Sequence, residues 1–184
     1  TPLGVKRLRD LVLDHVSTLT LSLDGAQKET FEKIRAGANF DKVMEHARIL
    51  VREKKERNSS ARIVAHFVMM RANIEELPRW VELMSEIGVD ACTAEPVEVL
   101  PELKSISLET CPELANRMFD AARERADRLG VPLTLPAYMP TEPEKGEERT
   151  SGIVENRPSF EAPEAEPTVE AAATTERNVD QALS

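Results

Sequence analysis

Cysteine, histidine and aromatic residues are scarce in this chain of 184 residues, with two Cys, three His, one Trp, one Tyr and five Phe. Cys92 and Cys111 show no CxxC or CxxxCxxC spacing. Such a pair can form a disulfide but carries no metal-site signature, and an unpaired thiol behaves as a small buried hydrophobe. His15, His46 and His66 are dispersed, without HxxxH or HExxH, and there is no GxSxG elbow and no P-loop glycine pattern. His66 falls inside an apolar run and reads as a core histidine. No apolar run reaches membrane-spanning length and no signal peptide is present, so the expected location is cytoplasmic, with no membrane partner. The net charge of −9 argues against a nucleic-acid footprint. That charge is uneven. Residues 1–139 hold 22 acidic and 20 basic side chains, whereas residues 140–184 hold eleven and four.

The most informative stretch is Thr18-Leu19-Thr20-Leu21-Ser22-Leu23-Asp24-Gly25. Alternation with period two predicts a strand over 16–24 with the leucines on one face and Ser22 and Asp24 on the other. A helical pattern follows at once, so Ser22 and Asp24 belong to a strand end that feeds a helix, where α/β folds gather ligand-binding groups. Asp24 with Gln27 fits a capping box. A short helix then runs to about Arg35 and stops at Ala36-Gly37, and Asn39 opens the next. In that helix Phe40, Val43, Met44, Ala47, Leu50 and Val51 form the buried stripe. Its charged end, Arg52 to Arg57, reads as a solvated face.

Ile63 to Met70 is nearly continuous in apolar residues, as for a parallel strand covered on both sides. Asn73 with Glu76 suggests a second capping box, before a helix with Ile74, Leu77, Val81, Met84 and Ile87 inward and Gly88 as its stop. Glu75 and Glu76 read as helix-start charges, and Trp80 as packing. Val89–Ala94 and Val131–Leu135 read as strands on either side of a helix that begins near Cys111. Its inward stripe is Leu114, Met118, Ala122, Ala126 and Leu129. Strands alternating with helices at this spacing mean parallel pairing with right-handed crossovers. From Pro140 the chain turns Pro/Glu/Ala/Thr-rich and reads as a disordered acidic tail. The first residue is Thr1, and the run Leu3, Val5, Leu8, Leu11, Val12 begins mid-pattern, as if cut from a longer protein.

Three pieces carry a family likeness: Leu21-Ser22-Leu23-Asp24-Gly25 with the helix through Arg35 and Phe40-Asp41-Lys42-Val43, then Phe67 to Pro78, then Cys111 to Pro136. In this order and spacing they resemble the fourth strand with its helix, the fifth strand with its helix, and the stretch after the sixth strand of radical SAM enzymes that continue into a SPASM-type domain. The resemblance covers about residues 3–138. It implies an α/β fold, the second half of a partial (β/α)6 TIM-like barrel, and a parent enzyme that cleaves S-adenosylmethionine reductively and acts on a peptide or small-molecule substrate with the help of an electron donor. By the same resemblance Ser22 contacts S-adenosylmethionine, Arg35 meets its carboxylate, and Asp24 and Asn73 stand close by. Capping gives Asp24 and Asn73 a structural reason as well. The CxxxCxxC loop that holds the family's [4Fe–4S] cluster has no counterpart here, so the cluster's ligands are expected outside this chain. Two other classes stay open on the sequence. One is a non-catalytic degenerate half-barrel serving as a binding or adaptor module. The other is a metabolic barrel piece that binds phosphate near Ser22.

Overall fold

The computed structural model describes residues 2–98 and 101–141. The acidic tail, from residue 142 onward, lies outside the described residues. The element order is α1 (Pro2–His15), β1 (Thr18–Ser22), α2 (Lys28–Ile34), α3 (Phe40–Arg57), β2 (Arg62–Met69), α4 (Leu77–Ile87), β3 (Ala91–Pro96), α5 (Pro112–Leu129) and β4 (Leu133–Thr134), with short 3₁₀ turns before α4 and before α5. The strands form one sheet in the order β1-β2-β3-β4, every neighbouring pair parallel. This is an α/β fold of four parallel strands alternating with helices, like part of a TIM-type barrel.

The core lies on one face of the sheet. On β2, Ile63, Ala65, Phe67 and Met69 are fully buried, and the Phe67 ring meets Trp80 of α4 with centroids 5.1 Å apart. Phe119, Ala122 and Ala126 of α5 join the same core. Leu129 does not. It is 43% exposed, because α5 is ending there. Among the described side chains of α1 Leu13 is buried, while Leu8 and Leu11 are exposed.

The opposite face corrects the expectation of a strand covered on both sides. Arg62, Val64, His66 and Val68 alternate with the buried residues and are only half-buried. His66 is therefore not a core histidine. The charged end of α3 is also more than a solvated face. Lys54 pairs with Asp90 just before β3, and Arg57 pairs with Asp10 of α1. Glu53 receives a bidentate contact from Arg9 of α1 at 3.0 and 3.1 Å. These pairs tie α1 and the start of β3 to α3. At its other end α3 is capped as expected, Asn39 Oδ1 accepting from the Lys42 N–H at 2.9 Å. Gly88 takes φ +85° to end α4, a conformation that favours glycine. Among the described residues no helix is long and apolar enough to cross a membrane.

Candidate functional site at the strand ends

β1 stops at Ser22, and the next residue, Leu23, turns into the core. The Leu23 N–H still donates to His66 O at 2.8 Å, so the backbone continues along β2 after the strand has formally ended. Asp24 then takes the place of a further rung. Its Oδ1 accepts from the Val68 N–H at 2.8 Å, and its side chain is 2% exposed. A buried carboxylate needs a cation and several donors to be tolerated. Arg35, just past the end of α2, supplies the cation. Its Nε donates to Asp24 Oδ2 at 2.5 Å and its Nη2 to Ser22 Oγ at 2.8 Å.

Asn73 locks the arrangement from the β2 side. Its Nδ2 donates to the carbonyls of Asp24 (3.0 Å) and Val68 (2.9 Å), and its Oδ1 accepts from the Met70 N–H at 2.8 Å. Glu76 reaches back across about fifty residues, Oε2 accepting from the N–H groups of Ala26 (2.7 Å) and Gln27 (3.0 Å). The loop between can tighten this far because Gly25 has no side chain: a Cβ there would stand 2.9 Å from the Phe31 backbone nitrogen.

Both expected capping boxes are thereby corrected. Gln27, not Asp24, occupies the N-cap of α2, and it makes no side-chain cap bond. Asn73 makes no cap bond to the turn it precedes. Each acidic or amide side chain bonds instead to backbone from a distant loop. Ser22, Asp24 and Arg35 come together at one point. Asn73, 1% exposed, stands behind them as a brace. Glu76 was missed as a site residue, because a local helix-start explanation seemed sufficient for it.

The chemistry of this corner is set by its one half-exposed member. The Arg35 side chain is 41% exposed while its partner Asp24 is buried. Nε and Nη2 are committed inward, and among the described residues Nη1 has no partner. The outer edge of a planar fork is thus held still and open, which suits a carboxylate or phosphate oxygen.

Along the half-buried face, the register lines up Ser22, His66, Thr93 and Thr134 across all four strands. His66 Nδ1 lies 2.8 Å from Thr93 Oγ1. Past the ends of β3 and β4 opens a cavity of about 660 Å³ whose polar lining includes Thr93, Glu95, Glu98, Ser107, Glu109 and Thr134.

The described residues do not fit an iron–sulfur cluster. Cys92 and Cys111 are free and buried, and burial pushes the Cys92 thiol up to about 12, the reverse of what a thiolate ligand needs. Among the described residues no group of three or more His, Cys, Asp or Glu side chains is placed to hold a metal ion.

The sheet carries the Arg35 guanidinium at the carboxyl ends of its strands, the side on which barrel-like α/β folds gather ligand-binding groups. The chain is similar to a radical SAM methyltransferase from Sphaerobacter thermophilus, with a TM-score of 0.51 and 16% identity over 72% of this chain and 37% of that one. It is also similar to Streptococcus suis SuiB bound to S-adenosylmethionine, with a TM-score of 0.50 and 15% identity over 71% of this chain and 29% of that one. A second structure of SuiB gives a TM-score of 0.51. No protein-family model and no curated protein matches the sequence. The match thus spans 37% and 29% of the solved proteins it resembles, and at these identities the likeness establishes the fold.

Proposed function

We propose that this chain is the C-terminal part of the core domain of a cytoplasmic radical SAM enzyme, and that its strand-end corner holds the carboxylate of S-adenosylmethionine. The observation that carries the reading is the Arg35 fork, fixed from within by Asp24 and Ser22 and open along its outer edge. The likeness to a structure holding S-adenosylmethionine supports it. When bound, S-adenosylmethionine supplies the radical on reductive cleavage, and the parent enzyme would use it to take a hydrogen atom from a peptide or protein substrate. What this chain's own residues contribute is orientation. Asp24 neutralises part of the Arg35 charge and fixes its plane. Ser22 receives the second Nη2 bond and offers its hydroxyl proton outward. Asn73 and Glu76 keep the two loops in register beneath. The cluster and the electron donor belong to parts of the parent outside the described residues.

The test is equilibrium dialysis of labelled S-adenosylmethionine against the full chain. Saturable binding is expected, weakened about tenfold or more by Arg35→Ala and less by Arg35→Lys, since an ammonium lacks the fork. S-adenosylmethionine without its carboxylate should bind weakly and be indifferent to Arg35. Binding that ignores Arg35→Ala, or that inorganic phosphate displaces fully, would remove this reading in favour of a phosphate site.

A further inference from the structure

We infer that the open edge of β1, together with the outer face of α1, is an interaction surface for a second copy of this chain. Ser17 O accepts from the Arg62 N–H and the Leu23 N–H donates to His66 O, both at 2.8 Å, so the odd-numbered residues of this stretch bond to β2. The backbone alternates, and the N–H and C=O groups of Thr18, Thr20 and Ser22 point away from β2. No described strand lies on that side. β1 also lacks the usual guards of an edge. Thr18–Ser22 contains no proline and no charge, and no bulge breaks its register with β2. The other edge is guarded: β4 is only Leu133–Thr134, flanked by Pro132 and Pro136, which have no N–H. With one open edge in each chain, pairing closes at two copies instead of growing into a filament.

A two-fold axis through Thr20 makes the new pair antiparallel. Thr20 then exchanges both backbone bonds with its own copy, and Thr18 exchanges both with Ser22 of the second copy. On the helix side Leu19 meets Leu21 of the second copy, and both leucines are only half-buried in the single chain. The helices agree with the strands. α1 runs into β1 through Val16 and Ser17, and Arg9 and Asp10 turn toward α3 through Glu53 and Arg57. Leu8 and Leu11, 62% and 50% exposed, look the other way, on the side of the open edge. Charge fixes the direction of this helix pair. Arg7 forms no ion pair among the described residues, and Asp14 has only Arg57 at 3.9 Å. Two turns apart beside Leu11, they meet as Arg7–Asp14 and Asp14–Arg7 when the two α1 helices run antiparallel, and as like charges when they run parallel. The pairing does not rest on the S-adenosylmethionine reading. In a longer parent a preceding strand would compete for the same edge.

Sedimentation equilibrium and light scattering of the full chain, without added ligand, test it. A dimer that dissociates on dilution is expected, with no larger species. Thr20→Pro removes a donor that β2 does not use, and should abolish the dimer while circular dichroism shows a folded monomer. Leu8→Gln with Leu11→Gln changes only exposed side chains, so it serves even if the proline variant fails to fold. It should weaken dimerisation about tenfold or more. Arg7→Asp should weaken it about tenfold, because the axis counts each change twice, and adding Asp14→Arg should restore it. A dimer indifferent to the α1 variants would use another surface and overturn the proposal. A monomer at every concentration would leave the edge to a strand of a longer parent and overturn it too, as would open-ended assembly.

Discussion

The two edges of the sheet are built on opposite plans. At the β1–β2 edge every buried polar atom of the corner has a named partner: Asp24 has Val68 and Arg35, and Asn73 has three backbone groups. At the β3–β4 edge the ladder stops early and carboxylates line an open cavity unmatched. One edge presents a single charged group held rigidly, and the other presents space and acceptors. The contrast separates a polar network closed on itself from an edge left open to solvent.

Breaking the satisfied edge should have the largest effect. Asp24→Ala removes the carboxylate that holds Arg35 and receives Val68, and should cost about 2–4 kcal/mol in urea denaturation. The half-exposed position of Arg35 keeps that figure below the cost of splitting a fully buried pair. Asn73→Ala leaves two carbonyls and one N–H without partners in a buried place, and about 2 kcal/mol is expected by the same measurement. Gly25→Ala presses a Cβ against the Phe31 backbone, which cannot yield as a side chain tip would. A loss of about 1–3 kcal/mol should appear, and an unchanged melting temperature would mean that the loop between β1 and α2 is looser than its contacts imply.

The smallest effect sharpens the comparison through pH. Burial pushes the Asp90 carboxyl up, but bonds from Lys54 Nζ and the Ile63 N–H outweigh it and hold the group below the usual aspartate range. The folded state therefore binds this proton more weakly than the unfolded chain does. The stability is present above the ordinary aspartate value of about 3.9 and is lost as pH falls through the lower folded value. Melting curves taken from about pH 6 down to about pH 3 should fall less steeply for Asp90→Asn than for the parent chain. Parallel slopes would mean that Asp90 does not contribute to the acid loss.

The alternation of leucines over 19–23 and the apolar run at 63–69 made the parallel α/β plan legible, because strand and helix periods are local properties. Strand ends were less so. The expected strand at 131–135 keeps only Leu133–Thr134, since Pro136 removes the donor that would extend it. His66 and the second face of β2 were misread for a different reason. A continuous apolar run records what a strand can bury, not which elements lie against it, and Val64 and Val68 remain half-buried here. The site was legible in its membership but not in its bonding. Ser22, Asp24 and Arg35 lie within one short stretch, whereas the bond from Asn73 to the Asp24 carbonyl and both bonds that Glu76 accepts are set by tertiary contact. A nearby helix start offered each of those two residues a false local role.

The bonds from Glu76 to Ala26 and Gln27, and from Asp24 to Val68, join residues 44 to 50 positions apart. Closing a loop of that length costs chain entropy before any contact repays it. During synthesis residues 18–57 exist before residue 76 does. In that interval Asp24 has neither Val68 nor Asn73 as a partner. The bonded corner around Asp24 is therefore a late event in the life of the nascent chain. It arises only when the second strand and the turn after it have been made, so the order of synthesis separates the making of Arg35 from the bonds that fix its partner Asp24.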